Sequence, residues 1–392
     1  MTEALESSRD QAALSNAAIA KVSLHAVRVN ARGNWLFVRL ETRTGHIGLG
    51  ELSHSGDDAR AAAWLTRRVA PRLVGRPLAG PRVLMRELRA ALGSQADERV
   101  SGTVLSGVEQ ALWDVTARTL EVSVQALLGG PLRTSIRLYA NINRALRERT
   151  GHAFADAARR AVADGFRAIK IAPFDDVHFR DPDPNALRAA VNAGIARTAS
   201  VRDAIGPDVT LMVDCHGRFQ RELAIDVARQ LEPLGLFWLE DLLWADEDPD
   251  GVAAVGAAIR QPQAAGERTR SLEGFFPIVA RRLAATVMPD VKHCGGLEEA
   301  RRIAALAEAA RLHVSPHNPA GPVATLVSAH LAATLTNFVH LEYAWGEVPY
   351  RAQLLDPPER IVAGQLELPA GAGFGAQLNE SLLAEHGFDP LA

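Results

Sequence analysis

The sequence predicts an α/β protein: a parallel barrel of alternating strands and helices, preceded by a smaller α+β unit. Three observations carry this. From about residue 135, short apolar strands alternate with amphipathic helices through eight near-regular steps, as a parallel barrel requires. Before that point, strand-like alternation gives way to helical stretches. An open doubly wound sheet would want a Gly-rich phosphate turn after its first strand, and none occurs there. A chain of 392 residues suits two domains, or one large barrel with an attachment.

Residues 1–18 read as a polar, frayed tail. Residues 19–30 and 34–41 alternate like strands, and GHIGLGE at 45–51 follows a turn, which predicts a three-stranded antiparallel sheet. DDARAAAWLTRRVAPRLV, PRVLMRELRAAL and SGTVLSGVEQALWDVTARTLEVSVQALLGG read as helical, the last ending on a Gly-Gly stop. Residues 19–134 thus form the α+β unit, and 135–345 the barrel. Barrel strands are expected at 136–142, 168–172, 210–214, 236–240, 264–267, 285–290, 312–317 and 338–342, with helices such as LEEARRIAALAEAARL between them. Beyond lies a Pro/Gly-rich stretch with a short hairpin, IVAGQLEL. Residues 346–392 are expected to return to the first unit.

Composition narrows the function. Apolar residues make up 47% and charged residues 23%, so a chain this long builds its core without disulfides or a structural metal. The net charge is −3 with no long run of one sign, which argues against a nucleic-acid or polybasic membrane partner. No apolar stretch reaches the ~18 residues that span a bilayer. The first residues hold no apolar signal core, so a cytoplasmic location is expected. Cys215 and Cys294 make neither a disulfide framework nor a zinc spacing. All but three of the 43 basic side chains are Arg, the exceptions being Lys21, Lys170 and Lys292. Arg cannot replace Lys as a compact point charge, so each of these either serves chemistry or is a leftover of compositional bias.

Active sites of parallel barrels sit at the C-terminal ends of the strands. Here those ends carry Lys170, Asp214, Glu240, Glu267, Asp290, His317 and Glu342. Asp214, Glu240 and Glu267 end successive strands, so their carboxylates converge and repel unless counter-charged. A divalent cation resolves this, and all-oxygen ligands favour Mg²⁺ over Zn²⁺. The plain alternative is an Arg-paired acidic cluster. Asp290 and His317 end the next two strands. A carboxylate on one imidazole nitrogen fixes the tautomer and frees the other as a general base. The alternative is a structural His–Asp pair.

These residues, with GLGE at 48–51, SGVEQALWD at 106–114, LLGG at 127–130, GFRAIKI at 165–171, MPDVKHCGG at 288–296 and SPHNPAGPV at 315–323, resemble the enolase superfamily in its mandelate racemase-like branch. The resemblance runs from about residue 20 to the end. It implies a modified TIM barrel, (β/α)₇β, under an α+β capping domain completed by the C-terminal segment. It further implies one Mg²⁺ per site on Asp214, Glu240 and Glu267, holding a small-molecule carboxylate substrate. On the same resemblance, Lys170 would add a nearby cation, and Glu342 would hydrogen-bond a carboxylate oxygen of the substrate. The α-proton of a carboxylate is very weakly acidic, so its removal needs preorganised positive charge. Relatives are commonly dimers or octamers, so a homo-oligomer is expected.

Two departures bear on the reaction. Many relatives carry Lys-x-Lys on the second strand, where this chain has Lys170-Ile171-Ala172, so His317 remains the clearest base. The third strand ends Asp214-Cys215-His216, and alternation turns His216 toward the pocket and Cys215, a buried filler, away. This is similar to galactonate-type acid-sugar dehydratases, in which the His is the general acid on the leaving hydroxyl. The expected reaction is dehydration of an aldonate or aldarate to a 2-keto-3-deoxy acid. The rivals are a racemase, epimerase or cycloisomerase using Lys170, and a non-catalytic sugar-acid binder. Lys292 either touches substrate or forms a salt bridge. Trp35 and His54, in loops of the first unit, and Trp345 are expected in the pocket wall.

Overall fold

The structure, a computed structural model, describes residues 12–392. The capping sheet is an antiparallel meander of β1 (Ile19–Asn30), β2 (Gly33–Thr42) and β3 (Ile47–Glu51), with Leu24 opposite Val38 and Leu40 opposite Gly48. The longer helices that follow are α1 (Asp58–Trp64), α2 (Pro81–Leu92) and α3 (Arg99–Thr119). Helix α2 buries Leu84, Met85, Leu88 and Leu92, one stripe at helical spacing. Helix α3 is buried nearly all round, because it is wedged between this sheet and the barrel. Its approach to β3 is close enough that a Cβ on Gly50 would overlap the carbonyl oxygen of Gly107, which explains the glycines of GLGE.

The barrel strands are β4 (Ser135–Asn141), β5 (Ala168–Ile171), β6 (Thr210–Asp214), β7 (Trp238–Glu240), β8 (Gln263–Ala265), β9 (Thr286–Val287), β10 (His313–Val314) and β11 (Leu341–Ala344). Each is parallel to its neighbour from β4 to β10. Closure comes from β11, which pairs with β4, and from a parallel bridge between Val314 and Phe338. The crossovers are α4 (Gly151–Ala163), α5 (Pro184–Ile205), α6 (Arg221–Leu231), α7 (Pro249–Ala258), α8 (Ser271–Ala280), α9 (Leu297–Ala309) and α10 (Pro322–Thr334). Seven strand–helix steps and a last strand, among the described residues, make the barrel (β/α)₇β.

Alternation sorts each strand into an outward face, packed on helices, and a lumen face. Tyr139, Ala168, Met212, Trp238, Ala264 and Met288 form an apolar plug in the lumen. Two residues further along their strands stand Asn141, Lys170, Asp214 and Glu240. The same period that builds the plug therefore stacks a polar layer on top of it. No described helix is long and apolar enough to cross a membrane.

Three expectations need correction. Strands β8, β9 and β10 are only two or three residues long, so Glu267, Asp290 and His317 lie in loops just past them. Gly266, with φ +117°, and the prolines at 289 and 316 end the pairing, since proline has no N–H to donate. The frayed tail was expected over 1–18. Residues 1–11 lie outside the described residues, but 12–16 are helical, Ala17 is buried and Ala18 bridges Pro77. The hairpin was expected to join the first unit. Instead β13 (Gln365–Glu367), paired with β12 (Arg360–Val362), adds to the barrel edge at β4. The return comes later: Phe374 donates its backbone N–H to Asp114, and β14 (Gly387–Phe388) pairs with β1.

Candidate active site

A cavity of about 1170 Å³ lies between the cap and the C-terminal ends of the barrel strands. Asp214, His216, Glu267, Asp290, Lys292, His317 and Glu342 all line it. His317 Nδ1 is 2.8 Å from Asp290 Oδ2, which leaves Nε2 toward the cavity. Lys292 donates its ammonium to both oxygens of Asp290, at 2.9 and 2.7 Å, and its backbone N–H at 2.7 Å. Lys292 therefore takes the salt-bridge alternative. Burial would raise the Asp290 carboxyl, but Lys292, His293 and His317 hold it well below the usual range.

The ammonium of Lys170 is fully buried. It lies 2.8 Å from Glu240 Oε1, 3.1 Å from Glu342 Oε1 and 3.3 Å from Asp214 Oδ2. Burial disfavours its charge, yet the surrounding carboxylates raise it well above the ordinary lysine value. It is a fixed cation and does not line the cavity. Glu342 accepts from Asn141 Nδ2 at 2.6 Å and from the backbone N–H of Asn318 at 2.8 Å. Burial opposes its ionisation, but Lys170, His317 and these donors keep it lowered, so it is an acceptor in this arrangement.

His216 reaches the cavity, though not by strand alternation. The strand ends at Asp214, and a left-handed turn with φ +47° at His216 swings the imidazole inward. Its Nδ1 is 2.6 Å from Asp175 Oδ1 and its Nε2 is 3.2 Å from Asp214 Oδ2. Burial would lower it, but Asp214 and Asp175 raise it well above the ordinary histidine value. Facing it, His317 Nε2 is 3.1 Å from Glu267 Oε2, without a hydrogen bond's geometry. Burial works against the His317 proton, but Glu267, Glu342 and Asp290 raise the ring to about 10.

The donor set fits a divalent cation in part. Ligand atoms of Asp214, His216 and Glu267 lie within 4.8 Å of one another. Glu267 Oε2 and Asp241 Oδ2 are buried without a hydrogen-bond partner, although a buried carboxylate oxygen normally has one. Glu240 is turned away from this group, with its oxygens on Lys170 and on Trp238 Nε1 at 3.2 Å. It meets Asp214 through the shared ammonium of Lys170.

Fold and site can now be set beside known proteins. Residues 153–382 match the family model described as enolase C-terminal domain-like, and residues 14–129 that of the mandelate racemase/muconate lactonizing enzyme N-terminal domain. The chain belongs to the enolase superfamily, in its mandelate racemase/muconate lactonizing enzyme branch. It is 31% identical to a D-galactonate dehydratase of Verminephrobacter eiseniae, with 91% of each chain covered. A D-xylonate dehydratase of Haloferax volcanii is 30% identical, covering 90% of this chain and 85% of that one. A D-gluconate dehydratase of Thermoproteus tenax is 33% identical over 74% of this chain, but this spans only 57% of that protein. Among crystal structures, a mandelate racemase/muconate lactonizing enzyme-like protein from Rubrobacter xylanophilus superposes with TM-score 0.84 at 33% identity, covering 96% and 98% of the two chains.

Within this superfamily member, two expected wall residues are elsewhere. Trp35 is on β2, fully buried in the seam between cap and barrel, edge-on to Tyr350 and under the Arg351 guanidinium. Trp345 turns outside the cavity and donates Nε1 to Asp164 at 2.8 Å. The place of Trp35 depends on how the units dock, which no local pattern encodes, whereas Trp345 meets a residue at the end of α4 within the barrel. His54 does line the cavity, in a turn with φ +62°. Sequence reading missed Asp175, Asn141 and Asp241. The strand period could have found Asn141, two residues past Tyr139, and Asp241 directly follows Glu240. Asp175 sits in an irregular loop and carries no signal.

Proposed function

We propose that this chain dehydrates an acid sugar, an aldonate or aldarate, to a 2-keto-3-deoxy acid. One observation carries the reading: two imidazoles, His317 and His216, flank one carboxylate pair, Glu267 and Asp214, across a single cavity. One base and one acid on either side of a bound substrate is what an elimination needs. The names of the relatives support the same reaction class.

Asp214 and Glu267, with Glu240 beside them, would hold a divalent cation, and Mg²⁺ suits an all-oxygen set. When bound, it supplies positive charge against the charge that develops on the substrate carboxylate. Engaging Glu267 would neutralise one of the anions that hold the proton on His317, with Glu342 and Asp290 remaining, and so would ease the use of the imidazole as a base. His317 Nε2 then takes the proton from C2. Asp290, kept ionised by Lys292, holds Nδ1–H and fixes that tautomer. The C3–O bond breaks as His216 gives its proton to the leaving hydroxyl, which departs as water. The enol left between C2 and C3 tautomerises to the 2-keto acid. Lys170, buried and paired, is not placed to deliver a proton to the opposite face, which disfavours the racemase reading. A pure binding protein needs no oriented base.

The test is a screen of acid sugars for 2-keto-3-deoxy products with and without Mg²⁺. His317→Asn should abolish C2 proton exchange in D₂O and lower turnover by at least about a hundredfold. His216→Asn should keep exchange and block dehydration. Normal dehydration by the His216 variant would remove its role. Stereoinversion without a keto product would favour the racemase.

A further inference from the structure

We infer that the capping domain is a positioning device for the catalytic dyad: four of its side chains clamp the two barrel loops that carry Asp290 and His317. Helices α9 and α10 follow those loops directly. Each opens on a glycine, Gly296 and Gly321, and neither has a side-chain cap of its own. The acceptors come from the other domain. Glu109 on α3 accepts the backbone N–H groups of Leu297 at 2.7 Å and Glu298 at 3.1 Å. Glu51 at the end of β3 accepts those of Gly321 at 2.7 Å and Ala324 at 2.8 Å. A carboxylate there satisfies orphan donors and meets the positive end of the helix dipole.

Two more contacts grip the first loop between these points. Gln110 Nε2 donates to the carbonyl of Val291, the residue between Asp290 and Lys292, at 3.1 Å. Thr103 Oγ1 lies 3.0 Å from His293 Nδ1. Gln110 also accepts the backbone N–H of Glu51 at 2.9 Å, which joins the two clamps. All four side chains are buried. A Cβ on Gly296 would overlap the Glu109 carboxylate, so the glycine permits the approach. By contrast, Asp214, Glu240 and Glu267 stand on β6 to β8 or just beyond and make none of these contacts. The site thus has two halves: carboxylates set by the barrel alone, and a dyad whose loops the cap holds together with the barrel contact of Asn318 on Glu342. Glu51, Glu109, Gln110 and Thr103 are positioning residues: none bonds Asp290 or His317 itself, and although Thr103 and Glu109 line the cavity, their polar atoms are engaged on His293 and the start of α9.

The kinetic arm of the test rests on the dehydratase reading; the hydrogen-exchange arm does not. Glu109→Gln and Gln110→Met are compared with Asp114→Asn. Asp114 is another buried cap carboxylate, but it holds Leu49 and Phe374 rather than the dyad loops. Amide hydrogen exchange over residues 290–298 should speed up in the first two variants and not in the third. With an acid-sugar substrate, kcat for C2 proton exchange should fall at least about tenfold in the first two, with KM and the Mn²⁺ dissociation constant within about twofold of wild type. Asp114→Asn should be destabilised yet keep its kcat. Unchanged amide exchange over 290–298 in the clamp variants, or an equal loss of kcat in Asp114→Asn, overturns the inference. If wild type turns over no acid sugar, the proposed function falls, and amide exchange still decides the clamp.

Discussion

Lys170 shows what a single residue does in this site. In a chain that uses Arg almost everywhere, a lysine persists where a compact ammonium must fit among three carboxylates over the face of Tyr139. A guanidinium is larger and planar, and Lys170 is already fully enclosed there. Removing the charge leaves buried anions without a partner. Lys170→Met should therefore lose about 3–5 kcal/mol in urea denaturation with EDTA present, and added Mg²⁺ should restore part of it. The polar layer was legible because strand alternation is local: Lys170, Asp214 and Glu240 follow from apolar residues two places earlier. His216 was reached by the wrong route, since a left-handed turn rather than a strand delivers it.

At the scale of elements, the seam between β3 and α3 governs how the cap is built. Gly48 and Gly50 face Ala111 and Gly107 backbone to backbone, with no space for a Cβ. Gly50→Ala should cost about 3 kcal/mol, seen as a lower melting temperature. The expected helices and most strands could be drawn from periodicity. Strand length could not, because β8 to β10 end where a glycine or proline withdraws from pairing while the apolar pattern runs on. The hairpin at 360–367 could not be placed either, since its pattern does not say which edge will accept it.

For the whole molecule, the C-terminal segment ties the two units together, and part of that tie is sensitive to pH. His330 on α10 is buried against Phe374, with Nε2 3.2 Å from its carbonyl. Burial lowers the ring from 6.5 to about 4, and the Phe374 hydrogen bond offsets this only in part. The unfolded chain thus binds a proton here that the folded chain refuses. The contribution is present above pH 6.5 and lost as pH falls toward 4. Between pH 7 and 4.5, His330→Asn should lose about 2–3 kcal/mol less than wild type in denaturant titrations. Equal losses would show that His330 is not the titrating group.

The sequence by itself determined the barrel and the order along the chain of the polar residues that meet at one end of it. These depend on period and spacing along the chain. The tertiary structure alone decided which side chains share a hydrogen bond. It put Lys292 on Asp290 and Asp175 on His216, hid Trp35 in a seam, and set Glu51 and Glu109 on helices of the other domain. Such contacts join residues far apart in the chain, and packing of one unit on the other selects them.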